Sequence, residues 1–221
     1  MNITASTTVA SIATEHPLAT RVFARHRIDF CCAGQRPVSE ICSEKGINVD
    51  QLVAEIQAEL ARAPETVERW DAASTPDLIA HILAAYHVPL KEELPRLESM
   101  ARKVHRVHFD KAPEKFEAML TTFLAIQSEI DGHLVEEEEL LFPAMLSGSF
   151  DAATSPMAKI EAEHDVLGRL LEKLRAAAGD FVVPEEACNT WRSLWVGLED
   201  LERAIHEHVH LENNILHPRF G

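Results

Sequence analysis

His133-Leu134-Val135-Glu136-Glu137-Glu138-Glu139-Leu140-Leu141-Phe142-Pro143 returns near the end of the chain as His208-Val209-His210-Leu211-Glu212-Asn213-Asn214-Ile215-Leu216-His217-Pro218. Both stretches read His-x-x-x-Glu-x-x-(Leu/Ile)-Leu-x-Pro. A His and a Glu four apart leave a helix from one face. Each copy follows, at a similar distance, a lone His in an apolar stretch, His87 and His164. The doubled plan predicts two halves of one metal site, with four imidazoles and two carboxylates.

The apolar residues around these motifs set the architecture. Four long helices are expected, starting after Thr75-Pro76, near Pro113, near Ser155-Pro156 and near Pro184. In the second, Phe116, Met119, Phe123, Ile126, Ile130, His133, Glu137 and Leu140 alternate steps of three and four. The fourth repeats that rhythm through Trp191, Leu194, Leu198, Leu201, Ile205, His208, Glu212 and Ile215. The third does so through Met157, Ile160, His164, Leu167, Leu171 and Leu174, and the first through Leu83, His87, Leu90, Leu94 and Leu97. These are the inward positions of helices packed at small angles. Six polar groups on such seams would cost on the order of ten kcal/mol if left without partners. Bound metal ions supply the partners. Pro89 is expected to bend the first helix beside His87.

Imidazole with carboxylate suits iron, manganese or zinc and disfavours calcium and magnesium. Two six-coordinate irons held by four His, two bridging Glu and a bridging oxide or hydroxide keep one position open on each metal. That opening suits O2, NO or release of a metal. Ferritin-like sites use Glu-x-x-His at three-residue spacing. The order here is His first, at four, which favours a hemerythrin-like arrangement. His206-Glu207-His208-Val209-His210 also matches H-E-x-x-H. His206 and His210 lie off the seam, so they are expected in solvent or beside the ligands, not on zinc. Glu129 and Glu163 are candidates for orienting a ligand imidazole, with Tyr86, His105 and His108 as further ones. The run Glu136–Glu139 reads as a solvated face containing one ligand.

The first 60 residues read as a small helical unit. Val9, Ile12, Ala13, Val22 and Phe23 form an apolar stripe that ends near Phe30-Cys31-Cys32-Ala33-Gly34. Ser39 can cap a short helix that Gly46 stops, and Asp50 can cap another carrying Leu52, Val53, Ile56 and Leu60. The expected division is 1–61 as a Cys-Cys domain, 62–77 as a linker anchored by Trp70, and 78–221 as the bundle. Few Gly and abundant Ala, Leu and Glu support an all-α class. The net charge of −15 opposes non-specific nucleic-acid binding, and 12 His suit cations. Four Cys are too few for a disulfide scaffold. No signal peptide or apolar run long enough to span a membrane is read, so the expected location is the cytoplasm. Adjacent Cys31 and Cys32 suit soft metals, thiol exchange or mixed disulfides, and Arg25, Arg27 and Arg36 could lower a thiol pKa. Cys42 and Cys188 are expected in the core.

Together, Ile28-Asp29-Phe30-Cys31-Cys32-Ala33-Gly34, Tyr86-His87, His133-x-x-x-Glu137 with Leu141-Phe142-Pro143, Glu163-His164-Asp165 and His208-x-x-x-Glu212-Asn213-Asn214 resemble the repair-of-iron-centres proteins. These are bacterial di-iron proteins with an N-terminal Cys-Cys domain and a hemerythrin-like four-helix bundle. The family usually has Gly-Gly after the cysteines, where this chain has Ala33-Gly34. The resemblance implies His87, His133, His164 and His208 as terminal iron ligands and Glu137 and Glu212 as bridges. It implies restoration of iron–sulfur clusters after nitrosative or oxidative damage, by iron donation; the adjacent thiols make Cys31 and Cys32 the candidate catalytic residues, for thiol-dependent transfer. Reduction of nitric oxide to nitrous oxide at the irons, or oxygen or NO sensing, are the alternatives. The partners expected are damaged iron–sulfur proteins and small diatomic ligands, without nucleic acid or membrane, and a homodimer is compatible with the sequence.

Overall fold

The computed structural model describes residues 3–62 and 69–220. The middle of the expected linker, 63–68, lies outside the described residues. The elements described are helical, and the β pairing is one isolated bridge, Thr8 with Pro37. Two compact units emerge: Met1–Leu78 with His206–Gly221, and Ile79–Ile205.

In the first unit, α1 (Val9–Glu15), α2 (Ala19–Arg25), α3 (Val38–Lys45) and α4 (Val49–Leu60) surround one core. Val9, Ile12, Val22, Phe23, Ile28, Phe30, Ile41, Leu52 and Ile56 fill it. Pro17 separates α1 from α2, so the single stripe read from the sequence is two short helices. The caps also differ from expectation. Asn48, not Asp50, accepts from the Gln51 N–H and starts α4. Pro37 precedes α3, which leaves Ser39 inside its first turn. Gly46 ends α3 at φ 67°, as a left-handed cap requires.

After α5 (Thr75–Ile82), the bundle of the second unit is formed by α6 (Val88–His108), α7 (Pro113–Glu136) with the short α8 (Phe142–Leu146) beyond it, α9 (Phe150–Ala177) and the first part of α10 (Asn189–Leu211). The short connections at 109–112 and 147–149 make consecutive helices antiparallel. Its aromatic end is closed by Phe116, Trp191 and Trp195, with the Phe116 and Trp191 rings 5.1 Å apart. Arg175 of α9 makes a paired-donor contact with the buried carboxylate of Glu202 on α10. A Cβ on Gly197 would come within 2.5 Å of Leu97, so α10 and α6 approach as closely as glycine allows.

Three of the long helices are interrupted by one turn of π-helix, at Leu83–His87, Glu137–Leu141 and Glu212–Leu216. The N–H groups of Val88, Phe142 and His217 reach back five residues, to Leu83, Glu137 and Glu212. A proline follows each closing N–H: Pro89, Pro143 and Pro218. Proline has no N–H to give, and its ring strikes the carbonyl four residues back in an α-helix. A wider turn immediately before it gives that ring room. Pro89 is thus the third instance of one device, which corrects the reading of it as an isolated bend.

The extra residue shifts the inward face. Leu140, expected on the α7 seam, is 56% exposed, and Leu141 is fully buried in its place. Likewise Ile82, not Leu83, is the buried residue before His87. In α9, which has no π turn, Met157, Ile160, His164, Leu167, Leu171 and Leu174 are all buried as the step pattern predicts. That helix begins earlier than expected and carries Pro156 inside it, while α10 begins later, at Asn189.

Candidate metal centre

Within the Ile79–Ile205 unit, His87, His133, Glu137 and His164 are buried. His87 closes the first π turn and Glu137 opens the second. The Nε2 atoms of His87 and His133 each lie 3.4 Å from Glu137 Oε2. The Nε2 atoms of His133 and His164 are 3.1 Å apart. Ligand atoms of His133, Glu137 and His164 all fall within 4.8 Å of one another, as do those of His87 and Glu137. Glu137 is common to both groups.

The outer nitrogens explain the orientation of two of these rings. His87 Nδ1 is 2.8 Å from Glu138 Oε1, and His133 Nδ1 is 3.1 Å from Glu163 Oε2. An Nδ1–H donated to a carboxylate leaves the Nε2 lone pair pointing inward, the arrangement of a metal-binding imidazole. Each carboxylate meets a lysine in turn. Lys91 Nζ lies 2.7 Å from both Glu138 oxygens, and Lys159 Nζ is 3.4 Å from Glu163 Oε1 and also bonds Glu136. Burial pushes the Glu138 carboxyl up, but hydrogen bonds from Lys91 and His87 outweigh it and hold it below the usual range.

Within the other unit, His208 and Glu212 are buried, with Nε2 to Oε1 at 2.7 Å. Glu212 opens the third π turn. Buried carboxylates with inward imidazole nitrogens suit a borderline cation such as iron, and the charge of such an ion offsets their desolvation.

Several sequence candidates sit elsewhere than expected. Glu163 orients His133, whereas Glu129 is exposed. Glu138, expected on a solvated face, holds His87, and Glu136 holds Lys159. Its position next to Glu137 at the π turn is what turns it toward His87, and straight α periodicity gives no sign of that. His210 is buried, not solvated. Its Nδ1 lies 3.2 Å from the Phe30 carbonyl and its Nε2 3.4 Å from Thr14 Oγ1, and burial pushes its pKa down to about 4. His206 packs edge-on against Phe30, so this stretch serves the N-terminal unit and not a zinc peptidase site. His108 and His105 stand against Phe116 and Glu117, and Tyr86 against His81. Cys42 is buried as expected, but Cys188 is exposed, with its sulfur 3.3 Å from His108 Nε2.

Cys31 and Cys32 are free thiols with sulfurs 3.5 Å apart. Two of the three arginines expected to act on the thiols are engaged by glutamates. Arg36 pairs with Glu40 and Glu44, and Arg25 with Glu59. The Cys31 thiol is pushed well up by its hydrogen bond with Cys32, by burial and by the Asp29 carboxylate.

Comparison with known proteins agrees with this geometry. Residues 78–220 match the hemerythrin HHE cation binding domain, and residues 5–60 match a domain of unknown function, DUF542. The iron-sulfur cluster repair protein YtfE of Pectobacterium atrosepticum is 40% identical over 205 residues, 92% of this chain and 91% of that protein. The protein of the same name from Pectobacterium carotovorum subsp. carotovorum is 40% identical over 92% of this chain and 91% of its own. The one from Yersinia pseudotuberculosis serotype O:1b is 36% identical over 96% and 95%. The hemerythrin match covers all six histidine and glutamate positions, and the likeness to the relatives runs through both units. The chain therefore belongs to the family of the YtfE iron–sulfur cluster repair proteins, with a hemerythrin cation-binding domain.

Proposed function

We propose that this protein holds two non-haem iron ions joined by an oxide or hydroxide and donates iron to iron–sulfur clusters damaged by nitric oxide or oxidants. His87, His133, His164 and His208 are the terminal ligands in this reading, and Glu137 and Glu212 the bridges. The observation that carries it is the convergence in the bundle: Nε2 of His87 and of His133 at equal distance from one Glu137 oxygen, and Nε2 of His164 at 3.1 Å from that of His133. The sequence repeat and the burial of His208 beside Glu212 support the matching roles for that pair. Iron held by this set would offer an open position to a small ligand such as NO or O2.

The chain's own residues do the rest. Glu138 and Glu163 keep two imidazoles turned inward. The buried seam keeps water from the carboxylates. Residues 1–61 present the cysteines, 62–77 link them to the bundle of 78–221, and Cys31 and Cys32 act in transfer. No helix among the described residues is long and apolar enough to cross a membrane. A reducing cytoplasm suits four free thiols.

The test is restoration of activity to a cluster enzyme inactivated by nitric oxide. Iron-loaded protein is expected to restore it and the metal-free form is not. Equal results from the two forms would end the proposal. Iron per chain provides a second measure: Glu137→Leu and Glu212→Leu are expected to lower it at least by half, and His206→Ala to leave it unchanged.

A further inference from the structure

The turn from Asp29 to Ala33 belongs to the N-terminal unit and is held from two sides. From within, Asp29 Oδ1 accepts from the N–H groups of Cys31 and Cys32, at 2.9 and 3.0 Å, and Oδ2 from that of Ala33, at 3.1 Å. From the other side, the Asn214 side-chain amide donates to the Cys31 carbonyl at 2.9 Å, and His210 meets the Phe30 carbonyl. Gln35 Nε2 donates to Asn214 Oδ1 at 3.0 Å and so fixes which end of that amide faces the turn. At Gly34, a Cβ would lie 2.5 Å from the Phe30 carbonyl oxygen and 2.9 Å from the Ala10 methyl, so only glycine lets the turn close. Ala33 keeps a negative φ and needs no such freedom. The dithiol is therefore held in place before it meets any ligand.

The held groups have the geometry of a chelate. Asp29, Cys31 and Cys32 offer ligand atoms within 4.8 Å of one another, and the Cys31 sulfur is 3.1 Å from Asp29 Oδ1. Sulfurs 3.5 Å apart, each bonded at about 2.3 Å, subtend about 100° at a shared ion. That bite is near tetrahedral and far from the linear geometry of a two-coordinate ion.

We infer that Asp29, Cys31 and Cys32 form a second cation site, separate from the histidine–glutamate centre, for one tetrahedral thiophilic divalent ion of the zinc or ferrous class. The ion takes the place that the thiol proton holds between Cys31 sulfur and Asp29 Oδ1. Two S–H bonds break, two metal–sulfur bonds form and two protons leave to solvent, with no change of oxidation state. Three protein ligands leave a fourth position open. Cys32 is only partly buried, so that position is reachable by a thiol or water from outside. An open site of this kind suits ions in passage more than ions in storage.

Full-length, reduced protein whose histidine–glutamate centre is already loaded with iron, titrated anaerobically with Co2+, tests this. A sulfur-to-cobalt charge-transfer band saturating at one ion per chain is expected. Cys31→Ser or Cys32→Ser should abolish it, and Asp29→Asn should weaken binding at least tenfold. His133→Ala, which damages the other centre, should leave the band unchanged, so the two sites fail separately. Competition with Zn2+ and with Fe2+ tells which ion displaces cobalt. Alkylation of the parent protein needs no variant. One equivalent of Zn2+ should protect Cys31 and Cys32 at least tenfold while exposed Cys188 stays reactive. Absence of the band, or equal labelling with and without Zn2+, overturns the site. An Asp29→Asn protein of unchanged affinity overturns the three-ligand chelate.

Discussion

Two helices of the bundle carry a buried histidine in the same kind of seam, and they solve the problem differently. In α9, His164 sits in an unbroken α-helix, and every third or fourth residue from Met157 to Leu174 is buried. In α7, the regular stretch ends at Glu136, one turn after His133, and the π turn at Glu137 puts five residues where four would stand. The difference follows what each helix supplies. The α9 helix gives one imidazole, which a straight seam delivers. The α7 helix gives an imidazole, a shared carboxylate and, from Glu138, the group that orients His87 on another helix. Adjacent side chains leave a regular helix about 100° apart, so one cannot take the other's direction. A locally widened turn brings Glu137 inward and Glu138 within reach of His87.

The sharpest way to break that comparison is to truncate two neighbouring leucines. Leu141→Ala is expected to destabilise the metal-free protein by about 2–5 kcal/mol, as for a fully buried leucine. Leu140→Ala is expected to cost less than about 0.5 kcal/mol, being mostly exposed. Denaturant melts of both variants decide it. A regular helix predicts the reverse order, so a larger loss at Leu140 would remove the π turn.

Proline should separate the two helices next. Val166 stands two residues after His164, as Pro89 stands two after His87. Val166→Pro in unbroken α9 is expected to cost about 3 kcal/mol or more. Pro89→Ala, next to a turn that already accommodates a ring, is expected to change stability by less than about 1 kcal/mol. Thermal unfolding of the two variants gives both values.

The two sequence copies also diverge outside their ligands. Val135 is exposed in the first copy, whereas the equivalent His210 is buried against the Phe30 carbonyl. Burial lowers the His210 pKa to about 4 from an ordinary 6.5. The neutral ring is the native form, so its contribution is complete above pH 6.5 and is lost as pH falls toward 4. The full loss is about 3 kcal/mol. Unfolding midpoints at pH 7 and pH 5 should differ more in the parent than in His210→Gln, and NMR titration should find this ring neutral at pH 5.5.

These differences mark how far the sequence could be read. The helices, their order and the inward place of His87, His133, His164 and His208 follow from steps of three and four, because packing a helix against a core imposes that period. The same rule failed at Leu140, Leu83 and Glu138. Each lies in or beside a π turn, where the period changes for a few residues and no residue type announces it. The signal present was the proline that follows each turn, and it becomes legible only when Pro89 is set beside Pro143 and Pro218. At the cysteines, the arginines close in sequence suggested activation. Each of Arg25 and Arg36 is satisfied by its own glutamates, and Asp29, two residues from Cys31, sets the field instead. Proximity along the chain does not say which charge turns toward a thiol.

The smallest expected effect tests the orienting carboxylates. Glu138→Gln keeps the size of the side chain and removes the charge facing His87 Nδ1. An imidazole whose outer N–H loses a carboxylate partner is a weaker base and is less firmly aimed. Iron affinity is expected to fall about 10- to 100-fold, about 1.4–2.7 kcal/mol, with little change in the melting of the metal-free protein. Glu129→Gln, on an exposed face of the same helix, is expected to change neither. Chelator competition against both variants separates the two positions. If Glu129→Gln weakened iron binding and Glu138→Gln did not, the widened turn would have no part in aiming His87. The π turn in α7 would then serve Glu137 alone.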